Sequence, residues 1–384
     1  MRIGILTSGG DVPGLNPAIR AITVRANRDG HDVIGIKKGW AGLIDLIRDK
    51  NADNYNNYEI LSEQTVNKIG RTGGTFLHTS RKIPNKLSRE HVPIHLRDIY
   101  NDDINDLTDE IMKNLEFLGI DYLIPIGGKD SLNYAVDLHR KGIKIIGIPK
   151  TMDNDVFGTD YCIGFSTCVT RTIEMTHALR TSAGSHERFL VIEVFGKFAG
   201  FTALIPAMAG AVDRCVIPEY EFDLDLLTEL MSSDRYNNPS RYSVCLVSEG
   251  ARIKNPVTNQ PFTYFDMTGQ YIAEQIRKLS PKYCYHHGIN VIYQKLGYLV
   301  RCGNPDALDS VVPMAFGNIA LDLILKGESG RMVSITEGEY NHVPIDITYN
   351  KIKKVDIEKY YEPERLRPKY KNFQFNPFFI TKDK

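Results

Sequence analysis

The chain has 384 residues, with 47 basic and 47 acidic side chains, a formal net charge of +0, and 42% hydrophobic and 24% charged residues. That length exceeds one ordinary core and predicts two or three lobes. A balanced charge with no basic run argues against a nucleic-acid or membrane-surface partner, so any phosphate recognition must be local.

Strand and helix signals alternate from the start. The apolar run Ile3–Thr7 reads as a strand ending in Gly9-Gly10, and helical periodicity follows over about 16–28. The opening residues turn polar too soon for a signal peptide, and no stretch approaches the roughly 18 apolar residues of a membrane helix. The cytoplasm is the expected location. Val33–Ile36 reads as the next strand, and the Asn- and Asp-rich segment 49–57 as an exposed loop. A helix over Leu107–Leu118, a strand over Tyr122–Ile126, a helix over Ser131–Arg140 and a strand over Ile143–Ile148 complete the first half.

The second half repeats the rhythm. Helices are predicted over Thr167–Ser182, Phe198–Met208, Asp266–Leu279 and Pro305–Leu325, with strands over Phe189–Val194 and Tyr242–Val247. The expected fold class is therefore α/β: two similar three-layer lobes with mainly parallel sheets and helices on both faces. The tail from Tyr360 has no clear period and is expected to wrap over a lobe. The six cysteines (162, 168, 215, 245, 284 and 302) form no C-x-x-C pair and read as core or partly buried free thiols.

In parallel sheets, ligands bind at glycine turns that leave the carboxyl ends of strands. Three segments stand at such places. Thr7-Ser8-Gly9-Gly10-Asp11-Val12-Pro13-Gly14-Leu15-Asn16 runs from strand through glycine turn to helix, where free N–H groups suit an anion. It matches neither G-x-G-x-x-G nor the Walker pattern, which argues against a Rossmann dehydrogenase and a Walker ATPase. Gly127-Gly128-Lys129-Asp130-Ser131 is again strand, turn, helix, and its carboxylate could either cap the helix or bind a metal–phosphate group. Pro149-Lys150-Thr151-Met152-Asp153-Asn154-Asp155 sets paired carboxylates beside a lysine and a threonine. That suits phosphoryl transfer, which needs a base and nearby cations, and it equally suits an Asx-turn.

In this order, TSGGDVPGLN, GRTGGTFLHTSR, GGKDS, PKTMDND, GTDYCIGFST, SHERFLVIEVFGKFAG, SEGA and LGYLVRCGNPDALD make the chain resemble the 6-phosphofructokinase family over residues 1 to about 320. The resemblance implies phosphoryl transfer to the 1-hydroxyl of fructose 6-phosphate, with Mg²⁺ as cofactor. It makes Asp153 the general base, with Thr151 and Asp155 as positioning neighbours. Gly10, Trp40, Arg81, Gly128, Lys129, Asp130, Ser131 and Lys150 fall on the donor side. Arg188, Phe195, Gly196, Lys197, Glu249, Tyr298 and Arg301 fall on the sugar-phosphate side. Arg188 is often supplied by a neighbouring subunit in the family, which implies a homodimer or homotetramer with shared active sites. The implied lobes are 1–165 plus about 302–340 for the donor, and 166–301 plus about 341–384 for the sugar phosphate.

Asp130 paired with Lys150 resembles the pyrophosphate-type members, the diphosphate–fructose-6-phosphate 1-phosphotransferases. An aspartate there would crowd and repel the α-phosphate of ATP. The alternatives are an ATP-dependent 6-phosphofructokinase and a non-catalytic sugar-phosphate-binding relative. A lipid or NAD kinase would leave Arg188, Glu249, Tyr298 and Arg301 unexplained. Three departures stand out. Lys129 occupies a position where an acid usually helps hold Mg²⁺, and an ammonium cannot ligate a metal. Either Lys129 contacts the donor phosphates while Asp153 or Asp155 brings the metal, or donor choice differs, or the chain is catalytically weak. Phe195-Gly196-Lys197 replaces Met-Gly-Arg. Ile292 stands where a phosphate-binding arginine is common, with Arg365 and Arg367 as possible substitutes.

Overall fold

The computed structural model describes residues 1–255, 257–258, 260–264, 267–284 and 288–370. In chain order the first lobe contains β1 (Arg2–Ser8), α1 (Leu15–Arg28), β2 (Asp32–Ile36), β3 (Tyr58–Leu61), α2 (Thr108–Phe117), β4 (Tyr122–Gly127), α3 (Lys129–Arg140) and β5 (Ile146–Pro149). The second contains α4 (Phe165–Ser185), β6 (Phe189–Val194), α5 (Phe201–Met208), β7 (Arg214–Val216), α6 (Leu224–Asn237), β8 (Ser243–Ser248), α7 (Thr268–Leu279) and β9 (Val291–Lys295). The chain then returns through α8 (Ala307–Leu325), β10 (Arg331–Thr336) and β11 (Glu339–Pro344).

The first sheet has seven strands in the order β11-β10-β5-β4-β1-β2-β3. Its five central strands are parallel, and β3 and β11 close the edges antiparallel. The second sheet has four strands, β9-β6-β8-β7, all parallel. Strands β1, β4, β5, β6 and β8 are buried almost throughout, as strands covered by helices on both faces must be. The fold class is α/β with mainly parallel sheets, as expected. Phe165 and Cys168 of α4 lie in the same hydrophobic core as Ile3 and Ile5 of β1 and Val191 of β6, so the two lobes share that core.

Several expectations need correction. Helix α3 starts at Lys129, two residues before Ser131, because the strand ends at Gly127 and Gly128 serves directly as N-cap. Lys129 and Asp130 are therefore first-turn residues. Helix α8 is, by length and composition, apolar enough to cross a membrane, with a mean hydropathy of 1.5. It is instead a core helix packed on α1: Arg25 donates to the Asn318 carbonyl (2.8 Å) and pairs with Asp322, while Phe316, Ala320 and Leu321 are buried. Cys302 is exposed, whereas Cys162, Cys168, Cys215 and Cys245 are buried and Cys284 partly so, all as free thiols. Asn54 and Asn57 are buried within the otherwise open 49–57 loop, where the Asn57 amide donates to Asn54 Oδ1 (3.0 Å).

The lobe boundary near 340 falls inside β11, and residues 341–350 stay with the first lobe. Ile345 lies in that lobe's core, and Asn350 N donates to Asn133 Oδ1 (3.2 Å). The chain crosses to the second lobe at 353–355. The Tyr361 hydroxyl then donates to the Cys215 carbonyl (2.7 Å), so the tail does wrap over a lobe as far as Tyr370. Residues 371–384 and Asp266 lie outside the described residues.

Candidate active site

Strands β1, β4 and β5 are parallel neighbours, so their carboxyl ends deliver three loops to one edge of the sheet. Buried hydroxyls fasten the first to the second, with Ser131 Oγ donating to Ser8 Oγ at 2.8 Å. The backbone N–H of Lys150 donates to the Gly127 carbonyl (2.9 Å), fastening the third to the second. The Lys150 side chain is buried, and its Nζ donates to the Gly10 carbonyl at 2.7 Å. Gly9 N donates to the Ser80 carbonyl (2.9 Å), which holds the adjacent, exposed Arg81 at the rim. Gly128, Lys129 and Asp130 sit at the start of α3, where Asp130 is exposed and Lys129 half-buried.

The acidic loop is internally braced. Asp153 N–H donates to Thr151 Oγ1 (3.2 Å), and the Thr151 hydroxyl also hydrogen-bonds the Asp155 carboxylate. Asn154 adopts a left-handed φ of 54°, which asparagine tolerates, and its side-chain amide donates to the Asp160 carbonyl (2.9 Å). Burial pushes the Asp153 carboxyl up to about 8; Asp155 and Glu249 push the same way, while Arg301 and Lys150 oppose. Burial also raises Asp155, against the Thr151 hydrogen bond and the charges of Lys353 and Lys129. Burial, then Arg301, brings the Lys150 ammonium down to about 8.

The carboxyl ends of β6 and β8 supply the opposing wall. Glu249 N donates to the Val194 carbonyl (2.9 Å) and Gly250 N to the Gly196 carbonyl (3.2 Å). Gly196 has φ +121°, and a Cβ there would fall 2.8 Å from the Ala199 carbonyl, so the turn after Phe195 requires glycine. Lys197 is exposed and lies over the Phe198 ring. Arg301 follows the 3-10 turn that carries Tyr298 and is only 7% exposed. Its Nε and Nη2 donate to the Asp11 carbonyl (3.1 and 2.6 Å), and its guanidinium lies 5.7 Å from the Phe195 ring and 5.4 Å from that of Tyr298. A Cβ on Gly10 would lie 2.0 Å from Arg301 Nη2, so that contact too depends on glycine. Arg301 thus joins the second-lobe wall directly to the first-lobe glycine loop.

Some expected residues lie elsewhere. Trp40 is fully buried beneath the first sheet, edge-on to Tyr134 with ring centroids 4.8 Å apart. It is a core residue of that lobe and lines no donor site. Arg188 precedes the first residue of β6, at the amino end, whereas Phe195 follows the carboxyl end. At about 3.3 Å per residue the two are roughly 20 Å apart along the strand. An open cleft of about 840 Å³ bounded by His177, Arg180 and Tyr242 lies at that amino end, away from the acidic loop. Arg365 and Arg367 cannot substitute for an arginine at 292 within one chain. Arg367 pairs with Glu362 (2.9 Å), and the Leu366 carbonyl accepts from Cys215 N of β7, at the opposite edge of the second sheet from β9. Lys353 was not anticipated. It acts on Asp155 from some 200 positions away, with no local motif to mark it.

The arrangement sets two carboxylates against Lys150, Lys129, Arg301 and Arg81 where the lobes meet. Among the described residues, no group of three or more acidic, histidine or cysteine side chains could form a protein-only metal cage. Mg²⁺ keeps several waters and is commonly carried by one or two carboxylates plus substrate phosphates, and the mutually repelling Asp153–Asp155 pair suits that mode.

Comparison with known proteins agrees with this architecture. The family described as Phosphofructokinase matches residues 2–324. An ATP-dependent 6-phosphofructokinase 3 of Streptomyces coelicolor is 35% identical over 366 residues, covering 95% of this chain and 99% of the relative. A pyrophosphate–fructose 6-phosphate 1-phosphotransferase of Dictyoglomus thermophilum is 35% identical over 374 residues, covering 93% and 95%. Among solved structures, phosphofructokinase from Pichia pastoris superposes with TM-score 0.74 at 26% identity, covering 91% of this chain and 35% of that longer one. A pyrophosphate-dependent phosphofructokinase from Marinobacter aquaeolei shares the fold at TM-score 0.71 and 20% identity, covering 96% and 89%. With the glycine loops, the acidic loop and the opposing wall all falling within the matched span, the chain belongs to the phosphofructokinase family.

Proposed function

We propose that this chain transfers a phosphoryl group to the 1-hydroxyl of fructose 6-phosphate, reversibly and with pyrophosphate as donor. The observation that carries the reading is the half-buried Asp153, raised to about 8, at the edge where the cations Lys150 and Arg301 converge from the two lobes. A carboxylate of raised basicity in a partly enclosed site is suited to take the hydroxyl proton as the bond to phosphorus forms. Lys150, Lys129 and Arg81, with the free N–H groups opening α3, balance the charge of the donor. Glu249 accepts from sugar hydroxyls, and Lys197, Tyr298 and Arg301 meet the sugar-phosphate side. Mg²⁺, when bound, shields the donor phosphates, and Asp153 and Asp155 are the residues that would hold it.

Arg188 stands at the amino end of β6, the end away from the wall that meets its own chain's acidic loop. Its role in binding the sugar phosphate therefore calls for a second copy, as a homodimer or homotetramer, in the cytoplasm. Asp130 supports pyrophosphate over ATP. It is exposed at the mouth of the loops, where its charge would oppose the extra phosphate of a nucleotide. The second reading, ATP as donor, is favoured by the relative from Streptomyces coelicolor. Parallel assays of fructose 1,6-bisphosphate formation with each donor, with and without Mg²⁺, separate the readings. Turnover with pyrophosphate that exceeds turnover with ATP supports the first. The reverse preference supports the second, and no product with either donor overturns both. Asp130→Gly is expected to move the ratio towards ATP.

A further inference from the structure

The segment that crosses between the lobes at 353–355 follows the span matched by the family, and it touches both walls of the site. Lys353 N donates to the Asp155 carbonyl at 2.9 Å. Lys353 Nζ donates to the Thr159 carbonyl (2.8 Å) and the Asp160 carbonyl (3.2 Å), and the latter also accepts from the Asn154 side chain. One lysine therefore engages three carbonyls of the single loop 155–160. Such a loop has few repeating backbone partners, so donors supplied from outside fix its shape. The same ammonium lies 5.2 Å from the ring of Phe201, the first residue of α5 in the second lobe. Two residues on, Val355 N donates to Glu219 Oε1 (2.9 Å). Both oxygens of that carboxylate accept from Gly200 N (3.0 and 3.1 Å), just after the Phe195-Gly196-Lys197 turn.

We propose that Lys353 is a positioning residue for the phosphoryl-transfer reaction: with Val355 and Glu219 it forms a strap that sets the Asp153–Asp155 loop against the Phe195–Lys197 turn. The proposal rests on the functional reading above. Lys353 reaches the reaction through the loop carbonyls, so its loss misplaces the base without removing a substrate contact. A displacement of about 1 Å at a reacting group can cost on the order of 100-fold in rate.

The test compares Lys353→Met, Lys353→Gln and Lys353→Arg with Lys326→Met, an exposed lysine outside the strap. Steady-state kinetics use whichever donor turns over, and hydrogen exchange is followed over residues 153–160. Lys353→Met is expected to lower kcat about 10–100-fold, while changing the KM for fructose 6-phosphate less than about 3-fold. Lys353→Arg, which keeps charged donors, should recover most of the loss, and Lys326→Met should match wild type. Amides 153–160 should exchange faster in Lys353→Met, with β6 unchanged. Should the Met variant fail to fold, Lys353→Gln is read in the same way. Unchanged kcat with a protected loop overturns the proposal. So does a fall in kcat that Arg does not relieve and that comes with faster exchange throughout β6. A wild-type protein that leaves fructose 6-phosphate untouched overturns the functional reading alone, because exchange over 153–160 reports on the strap without substrate.

Discussion

Lys150 Nζ donates a 2.7 Å hydrogen bond to the carbonyl oxygen of Gly10, which places a buried cation between the first and third glycine-edge loops. The side chain that marks donor choice in the sequence is therefore also a structural tie between those loops. Burial and the nearby Arg301 bring it down to about 8, so it keeps most of its charge at neutrality, with a narrower margin than an exposed lysine.

Asp153→Asn should abolish most activity while leaving the fold intact. Removing a positioned general base costs about 10²–10⁴-fold, and the loss should fall on kcat with little change in the KM for the sugar phosphate. Rapid-quench measurement of the phosphoryl-transfer step checks this. A variant within about 3-fold of wild type would rule out Asp153 as the base.

Stability without divalent cations should fall as pH rises. The folded-state value of Asp153 is about 8 against an ordinary 3.8, so between those values the folded chain holds a proton that the unfolded chain has lost. More protons bound in the folded state means stability decreasing with pH, with the contribution gone above about 8. Asp153→Asn removes that dependence, so its gain in Tm should be larger at pH 8.5 than at pH 5. Thermal unfolding in EDTA at the two pH values measures it, and an equal gain at both would contradict the assignment.

If Lys129 meets the donor as proposed, Lys129→Asp should reduce turnover with pyrophosphate about 10-fold or more, because it replaces a cation with a carboxylate beside Asp155. Initial rates across a Mg²⁺ titration test this. A large rise in rate would show instead that a metal-holding acid is what the site lacks.

Trp40 is the single tryptophan of the chain, fully buried against Tyr134. Its emission should be blue-shifted and unchanged when either donor is titrated, and it should report only unfolding. Trp40→Ala should cost about 3–5 kcal/mol of stability and leave the donor KM of the folded fraction unchanged. A donor-dependent change in fluorescence would return Trp40 to the binding site.

The glycine loops and the acidic loop were legible because each follows a short apolar run, and a parallel sheet brings the ends of such runs together. The boundaries of β6 and the ends of α1 could be read from local pattern for the same reason. The resemblance sets Trp40 on the donor side, but local pattern does not say which side of the sheet an aromatic faces; packing against Tyr134 decides it. The arginines of the tail were misread because charge alone does not say which sheet edge the tail joins; the bond between Cys215 and Leu366 does. Lys353 carried no signal at all, since its partners are backbone carbonyls, which any sequence supplies.

The order of strands in the first sheet bears on how the chain comes off the ribosome. Strand β5 ends at Pro149, but the partner that flanks it, strand β10, begins at Arg331, about 180 residues later. At synthesis rates of about 5–20 residues/s, that is a delay of roughly 9–36 s. The second sheet, drawn wholly from residues 189–295, can close first. The amino-terminal half thus waits, with one flank of β5 unpaired, for a strand made near the end of translation, and interruption after residue 325 is expected to leave an aggregation-prone intermediate rather than a working half-enzyme.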